Sequence, residues 1–390
     1  MKICGIICEF NPLHNGHEFL INQAKQMGYE VLCLMSGNFT ERGEPAILDK
    51  YTRSRLAINA GASAVIELPF VYAVNSADQF AYGAIKILNK LNVDAIMFGS
   101  ESADCQILET IADLKQKESK QFKQKLKEIL KSGESYNIAY QSAIRDIISQ
   151  KTNKNIVFSS NDILGSSYIA EIKKQKAKIK YHVVKRLDNG YNSTTPTNNF
   201  LSASEIIRKF NAQEKYIDFV PEYTQKALEK DSINFDKNLL TRIIAHNTLS
   251  RKLKLKKIFG ISEGLNNLLH KTIINTQDYE ELIKNLSSKR YRPSRIKKLL
   301  LYSALNLSNN EFKRSYKNPT AVNVLAVDKS KKNILSKLSK SKLKLIITHK
   351  DLKNLKHKTS INIDIDASRL YAICSKKSLT ETTLTTTKFI

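Results

Sequence analysis

No stretch of this 390-residue chain approaches the roughly 18 uncharged apolar residues that a membrane-spanning helix needs, so no membrane partner is expected. Cysteine is scarce. Cys4, Cys8, Cys33, Cys105 and Cys374 show no CxxC spacing and no neighbouring histidine cluster, which excludes the common structural zinc patterns. An odd, scattered set suits reduced thiols in the cytoplasm, and Cys4 and Cys8, within an apolar run, are expected to be buried. Acidic residues are also in short supply: 37 Asp plus Glu against 63 Lys plus Arg leave a net charge of +26. A lysine-rich composition bias accounts for part of this excess. A charge of that size also steers polyanions inward, so a nucleic-acid partner is expected. Zinc-finger, RRM and KH signatures are missing, as are internal repeats and any tight carboxylate cage for a metal. The first residues, MKICGII, begin like a secretory leader. They run straight into Glu9, Asn11 and His14 without a cleavage pattern, which points to a buried strand.

What the chain does have is a regular alternation. KICGIICEF, EVLCLMS, AVIELPF and VDAIMFGS are short apolar runs, separated by the amphipathic stretches HEFLINQAKQM, DKYTRSRLAINAG and SADQFAYGAIKILNKL. Buried strands alternating with helices predict a Rossmann-like parallel α/β sheet, which binds ligands at the carboxyl ends of its strands. Residues 103–175 read as mostly helical, with Asn161 or Asp162 as a helix cap. KIKYHVVKRLDNG reads as a strand closing on Lys185-Arg186, and the polar loop after it is a candidate lid. This gives a first domain over 1–200, a helical basic domain over 201–318, and a small C-terminal α/β segment over 319–390. In that last segment INIDIDASRLYAI alternates and then turns helical.

The most informative stretch is CEFNPLHNGHEFLINQA. Asn11 and Pro12 break the strand, and His14 and His17 lie three apart at the start of a helix, on one face. The free N–H groups of a helix start bind phosphate, Gly16 lets a ligand approach the backbone, and imidazole donors stabilise charge on a phosphoryl group. The competing reading is a pair of histidines there by chance, one of them capping the helix. A metal pair lacks a third ligand at helical spacing.

NPLHNGH after a first strand resembles the HxGH signature of the nucleotidyltransferase superfamily. In wider context CEFNPLHNGHEFLINQAK, MSGNFTERGEPAILDKYTR, GASAVIELPF, FGSES and SNDILGSSY together resemble the bacterial tRNA(Met) cytidine acetate ligases. The likeness is dense over 1–210 and looser after that. The resemblance implies a sheet of the HxGH nucleotidyltransferase type. It also implies a cytoplasmic ATP-dependent ligase that activates acetate as acetyl-adenylate. That adenylate then acetylates N4 of the wobble cytidine of elongator tRNA(Met), with tRNA and not DNA as the polyanion. ATP would contact Ile7, Cys8, Glu9, Phe10, Asn11, Pro12, Leu13, His14, Asn15, Gly16, His17, Glu18, Phe19 and Leu20, with Gly99, Asn161, Arg186 and Leu187. His14, His17 and Arg186 would be catalytic. Mg²⁺ would travel with the nucleotide phosphates, not in a protein site.

Other residues carry weaker expectations. Ser36-Gly37-Asn38 is a turn or a substrate contact, and Arg42 suits a phosphate or carboxylate. Lys50, Arg53 and Arg55 at a helix start suggest a nearby anion or simple exposure. Glu67 is a lone carboxylate at a strand end, able to orient a partner. LSASEIIRK departs from the superfamily's ISSTxxR pattern in spacing and in Glu205; Ser202 or Ser204 can still cap, and Arg208 remains an anion candidate. Arg290, Tyr291 and Arg292 suggest an RNA contact in which the tyrosine stacks on a base. The basic runs 251–257 and 329–344 fit the same surface. Two rivals stand beside the ligase: an HxGH adenylyltransferase acting on a small phosphate ester, and a non-catalytic RNA-binding protein.

Overall fold

The computed structural model describes residues 1–134, 136–152, 159–186, 200–250, 255–262, 264–288, 291–356, 358–379 and 387–390. Five parallel strands form the centre: β1 (Ile3–Cys8), β2 (Glu30–Ser36), β3 (Ala64–Leu68), β4 (Ala95–Ser100) and β5 (Lys180–Lys185). They lie in the order β5-β4-β1-β2-β3. The helices between them are α1 (Asn15–Gln26), α2 (Lys50–Asn59), α3 (Phe70–Ala73), α4 (Ala77–Lys90), α5 (Cys105–Gln116), α6 (Lys120–Lys131), α7 (Tyr136–Thr152) and α8 (Ser160–Lys174). Alternate strand residues feed two cores. Ile3, Leu32, Leu34 and Ile66 pack on one face, and Cys4, Ile6, Cys33 and Val65 on the other. Helices cover both faces, which is why these strands read as continuous apolar runs. Helices α5 to α7 enclose a small core of their own around Ile111, Phe122 and Ile148.

The helical stretch expected after residue 200 is present: α9 (Ala203–Asn211), α10 (Glu222–Asp231), α11 (Lys237–Leu249), α12 (Leu265–Asn275), α13 (Tyr279–Leu286), α14 (Pro293–Ala304) and α15 (Asn309–Lys317). The C-terminal strands add an antiparallel edge to the parallel sheet. β6 (Ala321–Val327) pairs antiparallel with β3, and β7 (Lys344–Ile346) and β8 (Lys388–Phe389) pair with β6. The 319–390 segment therefore extends the first sheet and covers the otherwise open edge of β3. Between and after these strands lie α16 (Asn333–Ser339), α17 (His349–Lys353) and α18 (Thr359–Cys374). The alternation INIDID misleads, because α18 is helical from Thr359 onward. Its buried residues Ile361, Asp364, Ala367, Ser368 and Tyr371 follow the helical period, and Asp364 accepts from Phe70 N at 2.7 Å. Among the described residues no helix is long and apolar enough to cross a membrane. The five cysteines are free thiols, Cys4 and Cys8 buried as expected.

Candidate active-site cleft

The site grows out of the turn between β1 and α1. Phe10 takes a left-handed φ of 47°, uncommon for a bulky residue, and sets its ring edge-on to His17 at 4.9 Å. Asn11 Oδ1 accepts from Ile47 N at 2.8 Å and pins the turn. Both histidines then cap α1. His14 Nδ1 accepts from Gly16 N at 3.1 Å, and His17 Nδ1 accepts from His14 N at 3.3 Å. Their rings stack 3.7 Å apart. An imidazole that accepts at Nδ1 carries its proton on Nε2, so both rings are Nε2–H donors. Burial, reinforced by the positive Arg186, pushes His14 down to about 3, so it stays neutral at physiological pH. The capping and phosphate-binding readings of the pair are thus compatible, but the histidines have taken backbone amides expected for the ligand. Gly16 serves the same cap, because a Cβ there would lie 3.0 Å from His14 Cε1.

Opposite the histidines, β4 and β5 end side by side. Arg186 N donates to Ser100 O at 3.0 Å, one residue beyond the β5 ladder. Its side chain crosses Gly99, where a Cβ would meet Arg186 Cγ at 3.0 Å. Gly99 therefore makes room for the arginine. Arg186 Nε lies 3.8 Å from Glu101 Oε1, and the same oxygen accepts from Asn161 Nδ2 at 2.6 Å. The sequence places Glu101, within FGSES, at a strand end but gives no sign of its partners. Asn161 does not cap α8: Ser159 does, in a capping box with Asp162. Asp162 also accepts from Ser100 Oγ at 2.5 Å and Ser102 Oγ at 3.0 Å, fixing the turn after β4.

Beneath the cleft, two cations expected near an outside anion are buried instead. Arg53 donates to the carbonyls of Leu48 at 3.0 Å, Glu9 at 2.6 Å and Ser36 at 3.3 Å, and to Gly37. It ties the ends of β1 and β2 together. Lys50 pairs with Glu67 at 2.8 Å, and Asn323 Nδ2 donates to Glu67 at 2.8 Å. Glu67 is thereby a structural partner, not a lone carboxylate. A Cβ at Gly37 would meet Glu67 Oε1 at 2.5 Å, and Asn38 Oδ1 accepts from Lys50 N at 2.8 Å; Ser36-Gly37-Asn38 is packed turn and does not line the cleft. Arg55 is exposed and pairs with Asp231 at 3.5 Å.

The cleft holds about 890 Å³, within the range of ligand sites. Of the expected contacts, Ile7, Cys8, Glu9, Phe10, Asn11, His14, His17, Leu20, Gly99, Asn161 and Arg186 line it. Gly16 and Phe19 line a side pocket of about 60 Å³ that also touches both histidines and Arg186. Asn15 and Glu18 turn elsewhere, to Asp218 O at 2.9 Å and Tyr223 Oη at 2.8 Å. Leu13 is fully buried, Pro12 lines neither pocket, and Leu187 and most of the candidate lid lie outside the described residues.

At the other end the cleft reaches Arg42, Glu44, Pro293, Ser294 and Lys297. Lys297 pairs with Glu44, and Lys298 with Glu41 at 2.7 Å, so α14 is bound to the loop after β2. The stacking expected of Tyr291 does not fit its place: it is buried, its hydroxyl lies 2.7 Å from Ser262 Oγ, and Arg295 covers its ring at 4.8 Å. Arg292 is exposed, while Arg290 and residues 251–254 lie outside the described residues. Ser202 caps α9 as expected. Arg208 does not line the cleft; its guanidinium is held by Glu205 and Glu214, each at 2.7 Å. Within the lysine-rich 329–344 run, Lys331 and Lys337 pair with Glu30 at 2.8 Å and Asp94 at 2.7 Å.

The HIGH Nucleotidyl Transferase family model matches residues 1–386. A tRNA(Met) cytidine acetate ligase of Thermoanaerobacter sp. (strain X514) is 36% identical over 391 residues, covering 97% of this chain and 96% of that protein. The ligase of the same name from Clostridium novyi (strain NT) is 34% identical over 390 residues, covering 96% of each. Among solved structures, apo Thermotoga maritima TmcAL aligns with a TM-score of 0.83 at 28% identity, over 98% of this chain and 96% of that one. The same protein bound with alpha-thio ATP gives 0.82 at 29% identity, with the same coverage.

Proposed function

This chain belongs to the HIGH nucleotidyl transferase family, among its tRNA(Met) cytidine acetate ligases, and on that premise we propose how its cleft joins acetate to tRNA with ATP. In the first step an acetate oxygen attacks the α-phosphorus of ATP and pyrophosphate leaves. The Nε2–H groups of His14 and His17 donate to phosphate oxygens, adding no net charge of their own. Arg186 supplies the cation that offsets charge on the α-phosphate, and Glu101 orients it together with Asn161. Preorganised donors of this kind stabilise charge as it develops. In the second step N4 of the wobble cytidine attacks the acetyl carbon and AMP leaves. A splayed anticodon base costs less to present than a paired one.

Magnesium ordinarily accompanies ATP and would neutralise its phosphates. Among the described residues no three His, Cys, Asp or Glu side chains gather to hold a metal. The ion would arrive with the nucleotide. The tRNA is drawn by the net charge of +26, with exposed Arg292, Lys256 and Lys257 as contacts. Such a substrate puts the enzyme in the cytoplasm.

The observation that carries this reading is the stacked, neutral histidine pair opposite Arg186, at one end of a cleft whose other end opens beside α14. It is tested by exchange of labelled pyrophosphate into ATP, with and without acetate. Acetate-dependent exchange is expected, and His17→Ala should lower it by about 10²–10³. Exchange independent of acetate would favour transfer of adenylate to a phosphate ester. No ATP turnover with acetate and tRNA would leave an RNA-binding protein.

A further inference from the structure

Three carboxylates, Glu9, Glu41 and Glu44, line the cleft between the histidines and α14. Glu41 and Glu44 are each paired with a lysine of α14. Glu9 differs from both. Its Oε1 accepts from Glu41 N at 2.6 Å, and Arg53 grips its backbone carbonyl at 2.6 Å. Among the described residues no cation forms a salt bridge with it and no group hydrogen-bonds its second oxygen. It follows β1 directly, with the histidine turn on one side and, on the other, the loop after β2 that is bound to α14. This is a held carboxylate with one oxygen available, placed where the two halves of the cleft meet.

We infer that Glu9 is the base that takes the proton from the cytidine amine during acetyl transfer, an inference that rests on the two-step reading above. The N4 lone pair forms a bond to the acetyl carbon, and the carbonyl π pair moves onto its oxygen. One N4 proton passes to Glu9 Oε2. The oxyanion then re-forms the carbonyl and breaks the bond to the phosphate oxygen, releasing AMP. Glu9 returns its proton to solvent. The groups around Glu9 are Cys8 before it in the chain, Glu41 and Arg42 on the loop, Arg53 on α2 and Tyr168 on α8, with His14, His17 and Glu44 lining the same cleft. Burial, with the Glu41 charge added, outweighs the bond from Glu41 N and the pull of Arg53 and Arg42, and pushes the Glu9 carboxyl up to about 7. A base works best with a conjugate acid near the working pH.

Glu9→Gln separates this role from a structural one, because its amide oxygen can still accept from Glu41 N. Pyrophosphate exchange is measured at saturating ATP and acetate, and acetyl transfer is followed in a single turnover from enzyme loaded with labelled acetyl-adenylate. Loss of transfer should exceed any loss of exchange by about 10²-fold or more. The wild-type transfer rate should rise with pH through about 7, a rise absent from the variant. Equal losses in both steps, or transfer by Glu9→Gln at the wild-type rate, would overturn the inference. Should that variant not fold, Glu9→Asp carries the test: a reduced rate with the pH rise retained supports the base, and a flat profile removes it. Failure of acetate-dependent exchange in the wild type is a different outcome and rejects the two-step reading itself.

Discussion

A histidine that caps a helix with one nitrogen has only the other to offer a ligand, and at His14 and His17 that division fixes the tautomer. It also has a cost in acid. The unfolded chain protonates His14 near pH 6.5, whereas the folded protein refuses the proton until about 3. Between those values the unfolded state binds more protons, so stability falls as pH drops, by up to about 1.4 kcal/mol per unit from this group. His14→Asn keeps a good cap and removes that liability. Urea unfolding at pH 7, 6 and 5 should therefore show a shallower acid loss in the variant than in the wild type. The same neutrality means that exchange activity should not titrate with His14 over this range.

Among the elements, the contact between α14 and the loop after β2 forms the far end of the cleft. Gly43 makes that contact possible. It has a φ of 76°, and a Cβ there would lie 2.9 Å from Lys298 N. Gly43→Ala would meet backbone, which cannot swing aside, as well as a strained conformation. A loss of about 1–3 kcal/mol is expected in thermal or urea unfolding, with acetyl transfer impaired more than pyrophosphate exchange. The KRYRPSRIKK run looked like a free basic face. In the folded protein Arg295 covers Tyr291, while Lys297 and Lys298 lock α14 to the loop. Those three charges are spent on assembly, while Arg292 stays exposed.

For the whole molecule, one buried group joins beginning to end. Lys50 on α2 and Asn323 on β6 both bond Glu67 on β3. Asp364 on α18 lies close enough for the Glu67 charge, added to its own burial, to push its carboxyl well above the usual range. Removing one partner strands a charge, so Lys50→Met should cost about 3–5 kcal/mol. Lys50→Met with Glu67→Gln should recover much of that loss. Urea titrations of both variants check the pair, and equal stability of the single and double variants would contradict this account.

The parallel core, the histidine turn and the helical middle follow from the sequence alone, because apolar runs, a strand-breaking Asn-Pro and helical periodicity are local signals. Family likeness also rested on contiguous motifs such as NPLHNGH and FGSES. Only the tertiary structure decided which charges line the cleft and which are held elsewhere. Lys50 and Arg53 are buried between distant elements, Arg208 is clamped by Glu205 and Glu214, and Glu101 is brought beside Arg186 by the pairing of β4 and β5. The antiparallel addition of β6 was equally hidden, as was the helix beneath the strand-like INIDID. A side chain's partner, unlike its periodicity, depends on residues far away in the chain, and no local pattern carries that information.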